Sequence, residues 1–234
     1  MAINPRRTGM IAFSGLKIAL FGESGAGKTF QIASLDNPII ISAEKGLLTL
    51  QMLGVDAPYI EVKSYGDLCD AYTWITDEEN IGSWNTLVID SVSEVAEVVL
   101  ADYKKTNKDP RKAYSDMMDA VMDAIRGFMN IENKDMVFIF KAGRIADTDT
   151  GRTTYSPYTP SDKFAAKMPY LFDEVLAIRT TKDAEGDLQR YIQTVNDGNW
   201  NCKDRSGILG AYEEADLGKL INRIKEAAHG RIEN

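Results

Sequence analysis

The chain has 234 residues, 44% of them hydrophobic, and a formal net charge of -8. That length and apolar content suffice for one substantial core, and no Pro- or Ser-rich stretch divides it, so a single domain over residues 1–234 is expected. The acidic balance excludes a protein that coats nucleic acid with its whole surface, since nonspecific binding is largely phosphate neutralisation, and Cys69, Cys202 and the lone His229 are too few and too scattered for a disulfide framework, a zinc site or histidine-based catalysis.

Residues 1–14 read as a flexible arm. Met1 to Thr8 lacks the apolar core of a signal peptide and no apolar stretch reaches membrane-spanning length, so a cytoplasmic protein without membrane contact is expected. Leu16 to Phe21 is a short apolar run suited to a buried strand, and Gly22 to Thr29 reads G-E-S-G-A-G-K-T before a helix over Lys28 to Leu35. Pro38 to Ser42 is a second buried strand, ending in Ala43-Glu44-Lys45-Gly46, and Tyr59 to Val62 is a third. Ser64 caps a helix to Thr76 whose apolar face is Leu68, Ala71, Tyr72 and Ile75. Thr86 to Asp90 is the next strand, followed by a helix from Val92 to about Tyr103. Another helix begins after Pro110 and carries Met118, Val121, Met122, Ile125 and Met129 on one side. Met136 to Phe140 is a further buried strand. Residues 142–170 are polar, rich in Thr, Gly and Pro, and too long for an ordinary connection, which predicts a functional loop, with Phe164 and Tyr170 packed as core where it enters Leu171-Phe172. Glu174 to Thr180 and Leu188 to Val195 flank a turn and form an antiparallel hairpin, and residues 215–228 are an amphipathic helix with Leu217, Leu220, Ile221 and Ile224 inward. Apolar strands alternating with amphipathic helices predict an α/β fold, a mostly parallel twisted sheet with helices on both faces and a C-terminal antiparallel hairpin.

The G-x4-G-K-T run is a phosphate-binding loop. A triphosphate needs many donors converging on a small volume, and Gly22, Gly25 and Gly27 let the backbone curl so that successive N–H groups face it, with Glu23, Ser24, Ala26 and Phe30 completing the loop and the helix dipole behind it. Lys28 supplies a mobile charge for the β- and γ-phosphates, and the Thr29 hydroxyl binds Mg2+. The expected cofactors are ATP and Mg2+. Leu87 to Ile89 followed by Asp90 make a Walker B strand whose carboxylate holds Mg2+ through its water shell. Ser91 either bonds that shell or caps the next helix. Glu44, ending the strand after the loop, is placed to orient or deprotonate water, because carboxyl ends of parallel strands face the ligand crevice; the alternative is a surface glutamate in a turn.

Together the phosphate loop, Ile41-Ser42-Ala43-Glu44, Val88-Ile89-Asp90-Ser91 and the late hairpin leading to Lys203-Asp204-Arg205 resemble the RecA-type ATPase core over about residues 14–210. More narrowly they are similar to compact phage nucleotide-binding proteins that act in single-strand annealing or recombination. The resemblance implies that Glu44 activates water, that Lys203 and Arg205 reach a neighbouring subunit's ATP with Arg205 as finger, and that Lys141 senses the γ-phosphate and passes its state to the following loop. That loop would line single-stranded DNA through Arg144, Arg152, Lys163 and Lys167 for phosphate attraction and Tyr155 and Tyr158 for stacking, against the diluting charges of Asp147, Asp149 and Asp162. The implied protein works in the cytoplasm of a bacterial host cell.

The leading expectation is therefore an ATPase of this core that binds single-stranded DNA and promotes annealing or homologous recombination, as a homo-oligomer in a ring or short filament, with a single-strand-binding protein as partner. Two other readings stay open: a ring-type helicase or translocase motor, and a nucleotide-gated switch or loader whose 142–170 segment binds a protein.

Overall fold

The computed structural model describes residues 13–44, 46–146 and 151–230, and its centre is built from strands apolar on both faces. Strand β1, Lys17–Gly22, buries Ile18 and Leu20 on one side of the sheet and Ala19 and Phe21 on the other. It is flanked by β5, Asp135–Ala146, and β7, Glu174–Lys182, both parallel to it. Beyond β5 lie β4, Thr86–Asp90, then β2, Pro38–Ser42, then β3, Tyr59–Glu61, all parallel. Near-continuous apolar runs such as P-I-I-I-S and T-L-V-I-D are what two covered faces demand.

On the other flank β7 turns through Asp183, whose carboxylate accepts the Asp187 N–H at 2.8 Å, into β8, Leu188–Gln193. β8 pairs antiparallel with β7 and, at the sheet edge, with β10, Tyr212–Glu214. The path across the sheet is β10-β8-β7-β1-β5-β4-β2-β3. The expected parallel sheet with a C-terminal antiparallel hairpin is the architecture observed.

One face carries α2, Tyr65–Thr76, α3, Val92–Thr106, and α4, Pro110–Met129, packed over Phe21, Ile41, Leu87, Ile89, Phe138 and Phe140. Their starts are written locally. Ser64 accepts the Asp67 N–H at 3.1 Å, Ser91 that of Glu94 at 3.3 Å, and Asp109, just before Pro110, that of Arg111 at 2.9 Å. The opposite face carries the five-residue α1, Leu48–Met52, and α6, Leu217–Gly230.

The helix expected after the phosphate loop is instead a 3-10 helix of six residues, Thr29–Ser34, stopped by the Asp36-Asn37-Pro38 turn. So short an element has little dipole to offer phosphate, and the loop's N–H groups must bind it directly. Its side chains do other work. Gln31 Oε1 accepts the Leu217 N–H and Ser34 Oγ the Gly218 N–H, each at 3.0 Å, so the turn after the loop caps α6.

The segment expected as a loop over 142–170 has regular structure. β5 runs on past the sheet to Ala146 and pairs antiparallel with β6, Thr153–Pro157, forming a protruding arm, and α5, Asp162–Leu171, follows. The arm is exposed from Arg144 to Ala146 but buried at Ser156 and Pro157, and its Thr-, Gly- and Pro-rich residues carry no apolar alternation, so its composition reads as loop. Met168 and Phe172 are buried as core, but Tyr170 is 81% exposed, which corrects its expected burial; the Phe164 side chain lies outside the described residues. Arm residues 1–12 and the diluting charges Asp147 and Asp149 are also outside them, as are the side chains of Asp162 and Lys163. Among the described residues no helix is long and apolar enough to cross a membrane.

At the end of the sheet where β1 and β7 begin, Glu174 is fully buried. Burial, and after it the neighbouring Asp204 of β9, Lys203–Asp204, push the Glu174 carboxyl up to about 8. Its Oε1 accepts the Ser206 N–H at 3.1 Å, while Oε2 is buried without a hydrogen-bond partner among the described residues.

Candidate functional site: a phosphate loop facing two carboxylates

β1 ends at Gly22, and the loop turns at Gly25, φ +78°, and Gly27, φ +99°, conformations that side chains rarely adopt. Lys28 Nζ donates to the carbonyls of Gly22 and Glu23 at 2.9 Å each, bent back across the loop it serves. Burial pulls its ammonium down; Asp90 and Glu44 push it back up, and Lys141 pulls it down again. Lys28, Asp90, Glu44 and Lys141 are thus one electrostatic cluster, contributed by the loop, by the ends of β4 and β2 and by the middle of β5.

Asp90 is the centre of that cluster. Although only 3% exposed, its Oδ2 accepts the Thr29 hydroxyl at 2.9 Å. Burial pushes its carboxyl up to about 6, against the pull of the Thr29 hydrogen bond and of Lys28, with Glu44 adding to the rise. A buried carboxylate beside a hydroxyl, both hard oxygen donors, is a setting that suits Mg2+, which binds through one or two protein oxygens with waters and phosphate completing the shell. Among the described residues no cluster of three or more His, Cys, Asp or Glu side chains could hold a metal ion without such help.

Glu44 closes the other side. Its Oε1 accepts the Ser91 hydroxyl at 2.6 Å and its carbonyl accepts Ser42 Oγ at 2.7 Å, while Ala43 N–H bonds the Asp90 carbonyl at 3.2 Å. Ser91 therefore caps α3 and holds the Glu44 carboxylate as well. Lys141, in register with Gly22 across the β1/β5 pair, forms an ion pair with Glu94 in the first turn of α3. That bond holds the Lys141 ammonium up, burial opposing it, with Glu44 and Glu97 contributing.

Arg144, Arg152, Tyr155 and Tyr158 gather on or beside the arm that leaves the site at Lys141. Buried Ser93 knits the base of the arm: it accepts the Lys141 N–H at 3.0 Å and donates to the Tyr158 carbonyl at 2.7 Å. One face of the Tyr155 ring is covered by Trp200, stacked at 4.4 Å and 9°, and the Tyr158 hydroxyl bonds Glu97 at 3.3 Å. Lys167 is not part of this group. It is exposed on α5, whose C-terminal carbonyls, Pro169 and Phe172, are held by Lys203 Nζ at 2.7 and 2.5 Å.

Lys203 and Arg205 lie at the far end of the sheet. Asp204 pairs with Glu174, which pairs with Ile18 near the start of β1. The four residue steps from Ile18 to Gly22, about 13 Å at the strand rise, separate that level from the phosphate loop. Burial lowers the Lys203 ammonium, which is committed to α5, whereas Arg205 is 55% exposed and pairs with Asp173 at 2.7 Å. Neither reaches the site of its own chain.

Sequence reasoning missed Arg190 on β8. Its guanidinium lies over the Phe30 ring, 5.8 Å from the centroid, and a Cβ on Gly27 would fall 2.8 Å from its Nε. A single arginine in an alternating hairpin strand carries no motif.

A loop of glycines with a bent lysine, a hydroxyl–carboxylate pair across one intervening strand and a parallel sheet beneath define a P-loop nucleotide-binding ATPase core. A family model described as an AAA domain matches residues 14–206, and the chain belongs to that family. A search of curated proteins finds no match. Among solved structures, an ATPase from the type III secretion system of pathogenic bacteria is similar, at 14% identity and a TM-score of 0.48, with 71% of this chain and 51% of that one covered. The chain spans about half the length of that structure.

Proposed function

We propose that this ATPase core is an ATP-controlled, single-stranded-DNA-binding protein that promotes annealing or homologous recombination, with its ATP site completed by a neighbouring copy. The observation that carries this reading is the continuity of β5. At Lys141 the strand stands beside the phosphate loop, and over the next five residues the same strand becomes the arm bearing Arg144. A shift of Lys141 between Glu94 and a bound γ-phosphate moves the root of the arm, because Ser93 ties the Lys141 N–H to Tyr158.

In this mechanism the loop N–H groups and Lys28 bind the triphosphate, and Thr29 and Asp90 hold Mg2+. Mg2+ held there would supply positive charge to the phosphates. Glu44, oriented by Ser91, accepts a proton from the attacking water. Arg205, exposed at the other end of the sheet, serves the site of the adjacent subunit, and Lys203 fixes the segment that presents it. A ring or a short filament satisfies this arrangement equally.

A labelled single-stranded oligonucleotide, titrated with protein in the presence and absence of Mg2+ and a slowly hydrolysed ATP analogue at two salt concentrations, tests the reading by fluorescence anisotropy. Binding that tightens with nucleotide and weakens with salt is expected. Absence of binding in both states, from protein that binds ATP, would overturn it. That outcome would favour a nucleotide-gated switch acting on a protein, a reading supported by the internal stacking of Tyr155 on Trp200.

A further inference from the structure

The two flanks of the phosphate loop differ in charge. On the β5-β4-β2 flank stand Lys141, Asp90 and Glu44, the groups suited to the metal and the γ-phosphate. On the β7-β8 flank stands Arg190, in register with Thr180 and on the same face of the hairpin as buried Ile178 and Ile192, the face that the turn after the loop also covers. Triphosphate bound with its γ end at the carboxylates must therefore run its other end toward β8. The groups waiting there are the 41% exposed Phe30 ring and the Arg190 guanidinium above it.

Arg190 has the attributes of a ligand-binding cation. Among the described residues its guanidinium has neither an ion pair nor a hydrogen bond, and it rests against the Phe30 ring. It occupies the space that the missing side chain of Gly27 leaves, so any larger residue at position 27 would push it off the loop. A guanidinium presents five fixed donors and no acceptor, which matches phosphate oxygens.

We propose that Arg190 is a cis-acting nucleotide-binding residue that grips the α-phosphate, with Phe30 beneath it, so that one chain holds the nucleoside end of the ligand with its own hairpin. This rests on the nucleotide reading of the loop and deepens it: the site has a third cation, from the antiparallel flank of the sheet, besides Lys28 and Lys141. A hydrogen-bonded charge of this kind contributes on the order of tenfold or more to affinity.

The test is the binding of fluorescent ATP and ADP analogues to the wild type, Arg190→Ala, Arg190→Gln and Lys28→Ala, with thermal unfolding run on each to confirm folded protein. Because the α-phosphate is common to both ligands, Arg190→Ala and Arg190→Gln are expected to weaken ATP and ADP by the same factor, about tenfold, with a shallower salt dependence. Loss confined to ATP would overturn the proposal by placing Arg190 at the γ end. Unchanged binding of both, with Lys28→Ala still abolishing it, would overturn the role of Arg190 while leaving the loop assignment standing. Failure of the wild type to bind either nucleotide would remove the nucleotide reading and this proposal together.

Discussion

Replacing Asp90 by asparagine should make the protein more stable and disable it. The Asp90 carboxyl is buried at the end of β4 and titrates at about 6 instead of the ordinary 3.8. A carboxyl raised on folding contributes stability that is fully present below the unfolded value and is lost as pH rises through the folded one. At about 1.4 kcal/mol per pH unit, the ionised group costs the folded state about 3 kcal/mol once the pH is well above both values. An asparagine in its place carries no charge to desolvate, and the amide carbonyl can still accept the Thr29 hydroxyl that Asp90 Oδ2 accepts at 2.9 Å. Urea unfolding of wild type and Asp90→Asn in EDTA without nucleotide, at about pH 5 and about pH 8, isolates the effect, since groups such as Glu174 titrate in both proteins and cancel. The variant is expected to be more stable at about pH 8 by about 3 kcal/mol, with the margin shrinking by about 1.4 kcal/mol at about pH 5. Adding Mg2+ and an ATP analogue should then stabilise the wild type more than the variant. A variant less stable than wild type at the higher pH, or a margin independent of pH, would refute the view that this carboxylate is held charged and desolvated for a cation.

The same sign applies to Glu174, at the far end of the sheet and remote from the nucleotide. Its carboxyl sits at about 8, above the ordinary 4.5, so wild-type stability falls as pH rises through that window. Glu174→Gln should remove about 3 kcal/mol of this fall between about pH 5.5 and about pH 8.5, and identical pH slopes in urea would contradict the burial argument. For the shared site, Arg205→Ala should retain ATP binding and lose hydrolysis, as should Glu44→Gln. Mixing the two should restore part of the activity, because one mixed interface keeps both an intact Glu44 and an intact Arg205; no recovery from mutants that still co-assemble would count against a site built by two subunits.

The phosphate loop, the Asp90 strand and helices α2, α3, α4 and α6 were legible because each is governed by a local rule: glycines for positive φ, Ser64 and Ser91 as caps, Pro110 at a helix start, and a helical apolar period. The β5–β6 arm escaped because its buried positions, such as Ser156 and Pro157, are not apolar residues in alternation, so nothing separates strand from loop. Helix α1 has five residues, too few for a period to emerge. Arg190 was invisible for a different reason. Its meaning comes from the β7–β8 register, which sets it opposite Thr180 and over a loop far earlier in the chain. Conversely, the spacing of Lys203 and Arg205 is plain in the sequence, yet their division of labour, one tied to the end of α5 and one paired with Asp173 near the surface, depends on packing.

The capping of α6 by Gln31 and Ser34 closes a long circuit, its clasp joining residues 186 and 184 positions apart. A clasp of such span is among the slowest contacts for a chain to find, and it cannot form on a ribosome until α6 has emerged. The turn that supports Lys28 and Thr29 is thus braced by residues translated long after it. A chain cut short before α6 keeps every residue of the loop and lacks the brace behind it.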